Sequence, residues 1–375
     1  MSDESGLQSQ SEEIIASLNP HLKESVQLLG FRHLTQIQAD TFRPAMEGRD
    51  FIARSPTGTG KTAAFLIPLV ERMGKDPTLK AVIIEPSREL AIQAANEGRK
   101  LAGASSVRIV AAYGGTPPKR QAELIKDGYQ IVIGTPGRLH ELLQKGVLKP
   151  SLFSILILDE ADRLFADEFR KEVLHIASRI AKTRQTMLFS VQMPAEVLEM
   201  AAKLLKADFK KIKLGTAAAQ TVRHYIVISD EAPRALAKLI GKNPVKSLVF
   251  ANSAEEADEL RKSFRFFGLP YPIVLHSGLD SQARHSAVRR FVQGCSESVL
   301  ISTDLGARGM HFPDVKTVYS IGLPNTPSFY LHRSGRTGRM GKTGECVSII
   351  PQTELKKMNA ILSHCGITAV QKKAE

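Results

Sequence analysis

Short segments that are apolar throughout recur along the chain, and each is followed by a longer segment with helical spacing. Strands with this composition are typical of parallel sheets covered on both faces by helices, whereas strands with one solvated face alternate apolar and polar residues. The pattern therefore predicts an α/β architecture. The predicted strands are 50–55, 81–85, 108–112, 130–134, 155–159 and 186–190, followed by 225–229, 247–251, 273–276, 299–303, 317–321 and 346–350.

The strands fall into two groups, which predicts two consecutive α/β domains in a chain of 375 residues. Between the groups, residues 209–222 begin like an edge strand and then become small and polar, with no apolar period. We place a linker at 215–221, an N-terminal domain at 1–214 and a C-terminal domain at 222–375.

Composition excludes several classes of protein. Hydrophobic residues make up 43% and charged residues 24%, which is typical of a folded globular protein. No apolar run approaches the length of about 18 residues that a membrane span needs, and the N-terminus is polar and acidic, so a cytoplasmic protein without a membrane contact is expected. The three cysteines lack metal-binding spacing and are expected to be reduced thiols.

The net charge of +13 indicates a polyanionic partner. The excess is uneven: residues 1–210 carry +3 and residues 211–375 carry +10. No basic tail accounts for it, so these side chains are expected on a folded surface. A generally solvated basic face is the alternative interpretation.

The first predicted strand leads into SPTGTGKT at 55–62 and then into an apolar helical segment. Strand, glycine loop and helix are the context of a phosphate-binding loop, in which glycines let backbone N–H groups approach phosphate oxygens. Lys61 can reach the outer phosphates, and the Thr62 hydroxyl can ligate Mg²⁺. A loop that is merely flexible is the alternative. The nucleotide-binding candidates here are Ser55, Thr57, Gly58, Thr59, Gly60, Lys61 and Thr62.

A second apolar strand ends in Asp159 and Glu160, at the edge where parallel sheets bind ligands. Asp159 suits Mg²⁺, and Glu160 can orient or deprotonate an attacking water. The alternative is that the pair only caps the next helix. A phosphate loop on an earlier strand favours the catalytic interpretation.

Residues 159–162 read DEAD, and over residues 28–350 the chain resembles the DEAD-box ATP-dependent RNA helicases, with motifs in the family's order. The resemblance implies two tandem RecA-like domains, RNA-stimulated hydrolysis of ATP with Mg²⁺, and local unwinding of RNA held through its backbone between the domains. It also implies a short bacterial-type member with a minimal helicase core, a monomer that acts on structured or duplex RNA, and a role in ribosome assembly or cold adaptation.

The segment GFRHLTQIQ at 30–38 is similar to the adenine-reading motif of that family. The amide of Gln38 can donate and accept at once, which suits the edge of adenine. Phe31 is expected to stack on the ring.

Other family motifs imply contacts with the RNA backbone, which fits their polar turns at strand ends. PSRELA (86–91) and TPGR (135–138) lie in the first half, and LVFANS (248–253) and STDLGARG (302–309) in the second. The implied RNA-binding residues are Arg88, Gly115, Thr135, Arg138, Asn252, Arg284 and Thr303.

The segment HRSGRTGR at 332–339 resembles the family's arginine-finger motif. Arg336 and Arg339 alternate with glycines, which allows their guanidinium groups to approach a phosphate. Such a finger stabilises transition-state charge and contributes about 10³ to 10⁵ in rate. A basic surface turn is the alternative.

The residues implied in coupling between the domains are Ser190, Gln192, Asp304, Arg308 and His332. Residues 190–192 read SVQ where the family usually has SAT, and His311 replaces the usual aspartate. These departures suggest a second function, an ATP-gated RNA clamp or assembly scaffold with little unwinding. A DNA helicase or nuclease motor is a third interpretation, which the RNA-type motifs disfavour.

Overall fold

The computed structural model describes residues 2–56, 58–213, 221–276, 278–295, 298–307, 310, 312–338 and 342–373. The chain divides into two compact units, of which the first takes residues 1–55 and 59–215 and the second comprises mainly residues 216–375. Of the predicted linker, 215–221, only Thr221 lies within the described residues.

The first unit is a seven-stranded sheet with helices packed against it, and its strands run in the order β3-β4-β2-β5-β6-β1-β7. Every described strand pair is parallel. Its strands are β1 (Phe51–Arg54), β2 (Ala81–Ile84), β3 (Ile109–Ala112), β4 (Ile131–Gly134), β5 (Ile155–Leu158), β6 (Gln185–Ser190) and β7 (Lys210–Lys213). Its helices are α1 (Ser2–Ser17), α2 (Pro20–Leu28), α3 (Gln36–Met46), α4 (Lys61–Lys75), α5 (Arg88–Ala102), α6 (Pro118–Lys126), α7 (Pro136–Gln144), α8 (Ala161–Leu164), α9 (Asp167–Arg179) and α10 (Ala195–Leu204).

The two faces of this sheet carry two separate apolar cores. Ile83 and Ile157 belong to the core that contains residues of α3, α4 and α5. Val82 and Leu156, one position away, belong to the core on the opposite face. Successive side chains along a strand point to opposite faces of the sheet. Because helices cover both faces, the side chains on each face must be apolar, which explains why the strands are apolar throughout.

The second unit repeats the plan, with the strand order β10-β11-β9-β12-β13-β8-β14 and parallel pairing throughout its described strands. Its strands are β8 (Val222–Ile228), β9 (Ser247–Ala251), β10 (Ile273–Leu275), β11 (Val299–Thr303), β12 (Thr317–Ile321), β13 (Gly344–Ile350) and β14 (Ala369–Lys372). Its helices are α11 (Ala232–Lys242), α12 (Ala254–Phe266), α13 (Ser281–Gln293), α14 (Asp304–Ala307), α15 (Pro327–Ser334) and α16 (Leu355–Cys365).

All the predicted strands are present, with ends that differ by at most three residues. The predicted edge strand near residue 209 is also confirmed, as β7. The strand β14 was not predicted, because Ala369–Lys372 is mostly exposed and has no apolar run. Among the described residues, no helix is both long enough and apolar enough to cross a bilayer.

Candidate active site

The phosphate loop lies between β1 and α4, at the carboxyl edge of the first sheet. Gly58 and Gly60 have positive φ angles of 77° and 89°, which glycine adopts without strain. A Cβ atom on Gly60 would stand 2.3 Å from Nε2 of Gln38, so a larger residue there would displace the buried Gln38 side chain. The loop therefore requires glycine at position 60 for two independent reasons.

Polar contacts inside the loop hold Lys61 in place. Its Nζ donates a hydrogen bond to the carbonyl oxygen of Ser55 at 3.0 Å. The hydroxyls of Ser55 and Thr59 lie 2.7 Å apart, and the hydroxyl of Thr35 donates to the carbonyl oxygen of Thr59 at 2.7 Å. The lysine ammonium is thus held against the loop whose backbone would surround the phosphates of a nucleotide.

Gln38 is buried and joins α3 to the phosphate loop. Its Oε1 accepts from the backbone N–H of Thr35 at 2.9 Å, and its Nε2 donates to the carbonyl oxygen of Gly60 at 3.1 Å. The expectation was an amide directed at adenine, so the structure adds a role in holding the loop. A primary amide keeps one further N–H and one further lone pair for a ligand. Phe31 is partly buried against the adjacent core.

The two carboxylates predicted for catalysis follow β5 directly. Asp159 is 5% exposed, and its Oδ1 accepts from the backbone N–H of Glu160 at 2.8 Å. Glu160 has φ 48° and ψ 50°, a left-handed conformation that is unfavourable for a residue with a Cβ. Its Oε2 lies 3.2 Å from Nη1 of Arg163. The left-handed backbone fixes the direction of the Cα–Cβ bond of Glu160, and the contact with Arg163 orients its carboxylate.

Burial dominates the electrostatics of this edge. It raises the pKa of Asp159 to about 7; Lys61 opposes the increase, and Glu160 adds to it. Burial also raises the pKa of Glu85 well above the ordinary glutamate value, with Asp159 and Glu160 adding to the shift. The site therefore concentrates desolvated carboxyl groups that a cation would stabilise in their charged form.

Ser190, at the end of β6, contacts the carboxylate motif. Its Oγ lies 2.6 Å from Oδ1 of Asp162 and accepts from the backbone N–H of Asp162 at 3.2 Å. The same hydroxyl lies 2.6 Å from the carbonyl oxygen of Gln192. Because Gln192 takes part through its backbone, this contact does not depend on its side chain.

The residues present fit Mg²⁺ bound together with a nucleotide. Among the described residues, no group of three or more His, Cys, Asp or Glu side chains could hold a metal ion alone. Mg²⁺ usually keeps several waters and takes one or two carboxylates plus substrate phosphates, so a large protein cage is not needed. The carboxylate of Asp159 and the hydroxyl of Thr62 supply suitable oxygen ligands. Thr62 lies in the first turn of α4.

The RNA-binding candidates of the first unit lie at the same carboxyl edge. Arg88 begins α5, and its guanidinium lies 5.2 Å from the ring centroid of Tyr113. Gly115 has φ 79°, and a Cβ there would stand 2.6 Å from Nη1 of Arg88. Thr135 immediately precedes α7.

Arg138 differs from the expectation of a guanidinium directed at RNA. Its side chain is buried, with Nη1 donating to Oε1 of Gln121 at 2.6 Å and Nη2 to the carbonyl oxygen of Thr116 at 3.0 Å. Its Nε lies 3.0 Å from Oε2 of Glu141. The charge of Arg138 therefore organises the loop that follows Gly115.

Two candidates of the second unit, Asn252 and Asp304, contact one buried arginine, Arg333. Arg333 is 1% exposed, and its Nη2 donates to Oδ1 of Asn252 at 2.9 Å. It also pairs with Asp304, which begins α14. Thr303 is buried and accepts from the backbone N–H of Gly306 through Oγ1 at 3.0 Å. Arg284 lies in the first turn of α13.

The arginine-finger segment follows α15. Arg336 donates from Nη1 to the carbonyl oxygen of Met310 at 2.5 Å. His332 is buried in the last turn of α15. Four residues singled out from the sequence lie outside the described residues, namely Thr57, Arg308, His311 and Arg339.

Known proteins match most of the length of this chain. The family model for DEAD/DEAH box helicases matches residues 35–201, and the model for the helicase conserved C-terminal domain matches residues 231–341. The DEAD-box ATP-dependent RNA helicase CshA of Geobacillus kaustophilus is 32% identical over 349 residues, which cover 92% of this chain and 74% of that protein. The chain belongs to the DEAD-box ATP-dependent RNA helicase family.

Further relatives agree with this assignment. The DEAD-box ATP-dependent RNA helicase RhpA of Helicobacter pylori is 33% identical, with 91% of this chain and 70% of that protein covered. A structure of Mss116p bound to single-stranded RNA and AMP-PNP has a TM-score of 0.85 at 30% identity, covering 98% of this chain and 79% of that one. A structure of Dbp5 from S. cerevisiae bound to RNA and ADP BeF3 has a TM-score of 0.84 at 26% identity, covering 98% and 96%. The predicted tandem RecA-like fold is confirmed.

Sequence reasoning missed two residues of this DEAD-box protein. Arg333 lies inside the recognised segment HRSGRTGR but was not singled out, although it contacts two of the named candidates. Glu85 lies directly before PSRELA and is buried near Asp159 and Glu160, the carboxylates predicted for catalysis. A charged residue that ends an otherwise apolar strand was the signal that could have found Glu85.

Proposed function

We propose that this DEAD-box helicase binds ATP with Mg²⁺ at the edge formed by the phosphate loop and the end of β5. The observation that carries the proposal is the position of Lys61, which is held inside the loop by its bond to the carbonyl oxygen of Ser55 and is close enough to Asp159 to oppose the burial-driven increase in the pKa of that carboxyl group. Lys61 is proposed to contact the outer phosphates. Thr62 and Asp159 are proposed to hold Mg²⁺. Gln38 and Phe31 are proposed to bind adenine. Mg²⁺, when bound, neutralises charge on the phosphates.

RNA is proposed to bind through its sugar-phosphate backbone. The candidates on accessible or partly accessible loops and helix starts are Arg88, Gly115, Thr135, Asn252 and Arg284. Arg138 and Thr303 are buried and are proposed to act by shaping the loops around them. Backbone contacts of this kind position RNA without reading its sequence.

Glu160 is proposed to orient the water that attacks the γ-phosphate. Its left-handed backbone and its ion pair with Arg163 hold the carboxylate in one direction. Arg336 and Arg339 are proposed to stabilise the charge that develops on the transferred phosphoryl group. Hydrolysis would then release the RNA after local strand separation.

The test is the variant Glu160→Gln, which keeps the size of the side chain and removes its charge. RNA-stimulated phosphate release is expected to disappear while ATP-dependent RNA binding remains. Glu168→Gln, at an exposed position on α9, is the matched control and should hydrolyse ATP at the wild-type rate. Unchanged turnover in Glu160→Gln would remove the role assigned to this residue.

The second candidate function, an ATP-gated RNA clamp or scaffold, is favoured by Gln192, whose side chain differs from the family's threonine. Displacement of a short labelled RNA strand, measured beside ATP turnover, separates the two functions. Turnover with displacement supports the helicase, and turnover without displacement supports the clamp. RNA and DNA of equal length, compared as stimulators, test the nucleic acid preference.

We further propose that the protein acts as a monomer in the cytoplasm, where both ATP and RNA are present. The excess positive charge of the second half, +10 over residues 211–375, favours contact with a polyanion such as RNA. Light scattering during size-exclusion chromatography tests the oligomeric state directly.

A further inference from the structure

Glu85 stands beside Asp159 at the carboxyl edge of the first sheet. Strands β2 and β5 are parallel neighbours, with Ile84 opposite Leu158. Glu85 and Asp159, the residues that follow these two strands, are therefore adjacent. The backbone continues this pairing, because the N–H of Asp159 donates to the carbonyl oxygen of Ile84 at 3.2 Å. The backbone N–H of Glu85 donates to the carbonyl oxygen of Gly134 on the other side, at 2.9 Å. Its position is thus fixed by both neighbouring strands.

The side chains of Glu85 and Asp159 share the face that carries the phosphate loop. Side chains two apart along a strand point to the same side. Ile83 and Ile157, two positions before these carboxyl groups, both belong to the core that includes the helix α4. Lys61 begins that helix. Glu85 therefore lies on the same side of the sheet as the residues proposed to bind nucleotide phosphates.

One oxygen of Glu85 is unsatisfied within the fold. The residue is 1% exposed, and its Oε2 is buried with no hydrogen-bond partner among the residues that the structure describes. The charged groups that influence it are all carboxyl groups, from Asp159, Glu160 and Glu97. A buried carboxyl group without a partner is unfavourable, so its presence at a ligand-binding edge indicates a group that is satisfied when the ligand binds.

We propose that Glu85 is a third carboxyl group of the magnesium-nucleotide site and accepts a hydrogen bond from a water bound to the metal. The inference rests on the proposed function, because it requires Mg²⁺ and nucleotide to bind at this edge. A bridging water suits the geometry better than direct ligation, since the described residues contain no group of three acidic or histidine side chains able to hold a metal. Mg²⁺ characteristically keeps such waters, and outer partners of this kind contribute 10- to 100-fold to metal affinity.

The experiment measures the affinity for a fluorescent ADP analogue, first in EDTA and then with saturating Mg²⁺, for the wild-type protein, Glu85→Gln and Glu85→Ala. The wild-type protein is expected to bind more tightly with Mg²⁺. Glu85→Ala should lose about tenfold of that Mg²⁺-dependent gain, and Glu85→Gln, which keeps an acceptor oxygen but no charge, should lose less, while the affinity of both in EDTA stays unchanged. Melting curves without nucleotide show that each variant is folded.

Glu97→Gln is the matched control. Glu97 is a nearby carboxyl group on α5. Its Oε1 accepts a hydrogen bond from Nε2 of Gln93 in the same helix at 2.8 Å. This variant should keep the full Mg²⁺-dependent gain.

Two failures are distinguishable. If the wild-type protein gains affinity with Mg²⁺ and the Glu85 variants gain as much, Glu85 is only a buried acid and this inference is overturned, while the proposed function stands. If the wild-type protein binds no nucleotide, the proposed function fails, and the inference fails with it.

Discussion

Arg333 holds Asp304 through two hydrogen bonds, from Nε to Oδ1 at 2.9 Å and from Nη2 to Oδ2 at 2.5 Å. The same guanidinium donates to Oγ of Ser320 at 2.5 Å and to Oδ1 of Asn252 at 2.9 Å. It also lies 5.3 Å from the ring centroid of Phe250. One buried cation therefore joins the ends of β9 and β11 to β12, and the positions of Asn252 and Asp304 depend on it.

Replacing Arg333 with lysine should destabilise the second unit. Lysine keeps the charge but cannot reproduce the planar fork that reaches three side chains at once. Removing one partner of a buried ion pair costs about 3–5 kcal/mol, and the loss of the fork should approach the lower end of that range. The free energy of unfolding, measured with urea, checks the prediction. Lys342→Ala is the control, because the Lys342–Asp314 pair is exposed to solvent and should contribute little to stability. Equal stability of the two variants would contradict the assignment.

Replacing Gln38 with alanine should weaken nucleotide binding without unfolding the protein. The variant loses the link from Nε2 to the carbonyl oxygen of Gly60, so the phosphate loop is held less firmly. One hydrogen bond contributes about 0.5–1.5 kcal/mol, which predicts a loss of about 2- to 12-fold in affinity for ADP from this contact alone. Fluorescence titration measures it. Gln36→Ala is the control, since the Gln36 side chain is exposed and donates from Nε2 to Asp40 in the same helix. A similar loss in both variants would show that the effect is not specific to the loop.

Replacing Gly60 with alanine separates backbone strain from steric conflict. Gly60 and Gly48 both have positive φ, so alanine is strained by about 1–2 kcal/mol at either position. Only at Gly60 would the new Cβ meet Nε2 of Gln38, and nothing lies within 4 Å at Gly48. Gly60→Ala is therefore expected to lose nucleotide affinity as well as stability, and Gly48→Ala stability alone. Nucleotide titrations and melting curves on both variants test this, and normal affinity in Gly60→Ala would contradict the steric argument.

His224 should make the second unit less stable in mild acid. Burial lowers the pKa of His224 to about 4, and its Nδ1 lies 2.8 Å from the hydroxyl of Tyr330. The unfolded chain takes up a proton near the ordinary histidine value of about 6.5, so the folded state binds fewer protons between these two values. Stability is then complete above about pH 6.5 and falls as the pH drops toward 4, by about 3 kcal/mol in all.

The measurement compares melting temperatures at pH 7.5 and pH 5 for the wild-type protein and His224→Gln. Glutamine does not titrate and can still bond to Tyr330, so its decrease on acidification should be smaller. His21→Gln, at an exposed position, should behave like the wild-type protein. An equal decrease in all three proteins would show that His224 does not control this response.

The fold was largely predictable because its strands are buried on both faces. Strands such as β5, which reads ILIL and is buried throughout, leave little ambiguity about a parallel sheet. The strand β14 escaped prediction because it is an exposed edge with the sequence AVQK, and pairing with β8 rather than composition makes it a strand. Its identity is fixed by tertiary contacts that no local pattern reports.

The location of the candidate site at the carboxyl edge of the sheet was predictable, but the contacts of its residues were not. The motifs placed Asp159, Lys61 and Ser190 correctly at one sheet edge, since strand ends converge there. The internal bonds of Arg138 and the hub at Arg333 join segments far apart in sequence, such as residues 252 and 333, which local patterns cannot connect. Charge alone therefore did not distinguish an arginine that faces a ligand from one that supports a loop.

Glu160 combines a left-handed backbone with a side chain proposed for catalysis. Glycine would relieve the backbone and remove the carboxylate, so folding and turnover favour different residues at this position. A library of variants ranked by thermal stability alone would therefore enrich replacements at position 160 that remove the carboxylate proposed for catalysis. Conversely, restoring glutamate to a stabilised variant should lower its melting temperature while returning the carboxylate proposed for catalysis. Melting temperature and turnover are therefore expected to change in opposite directions at position 160.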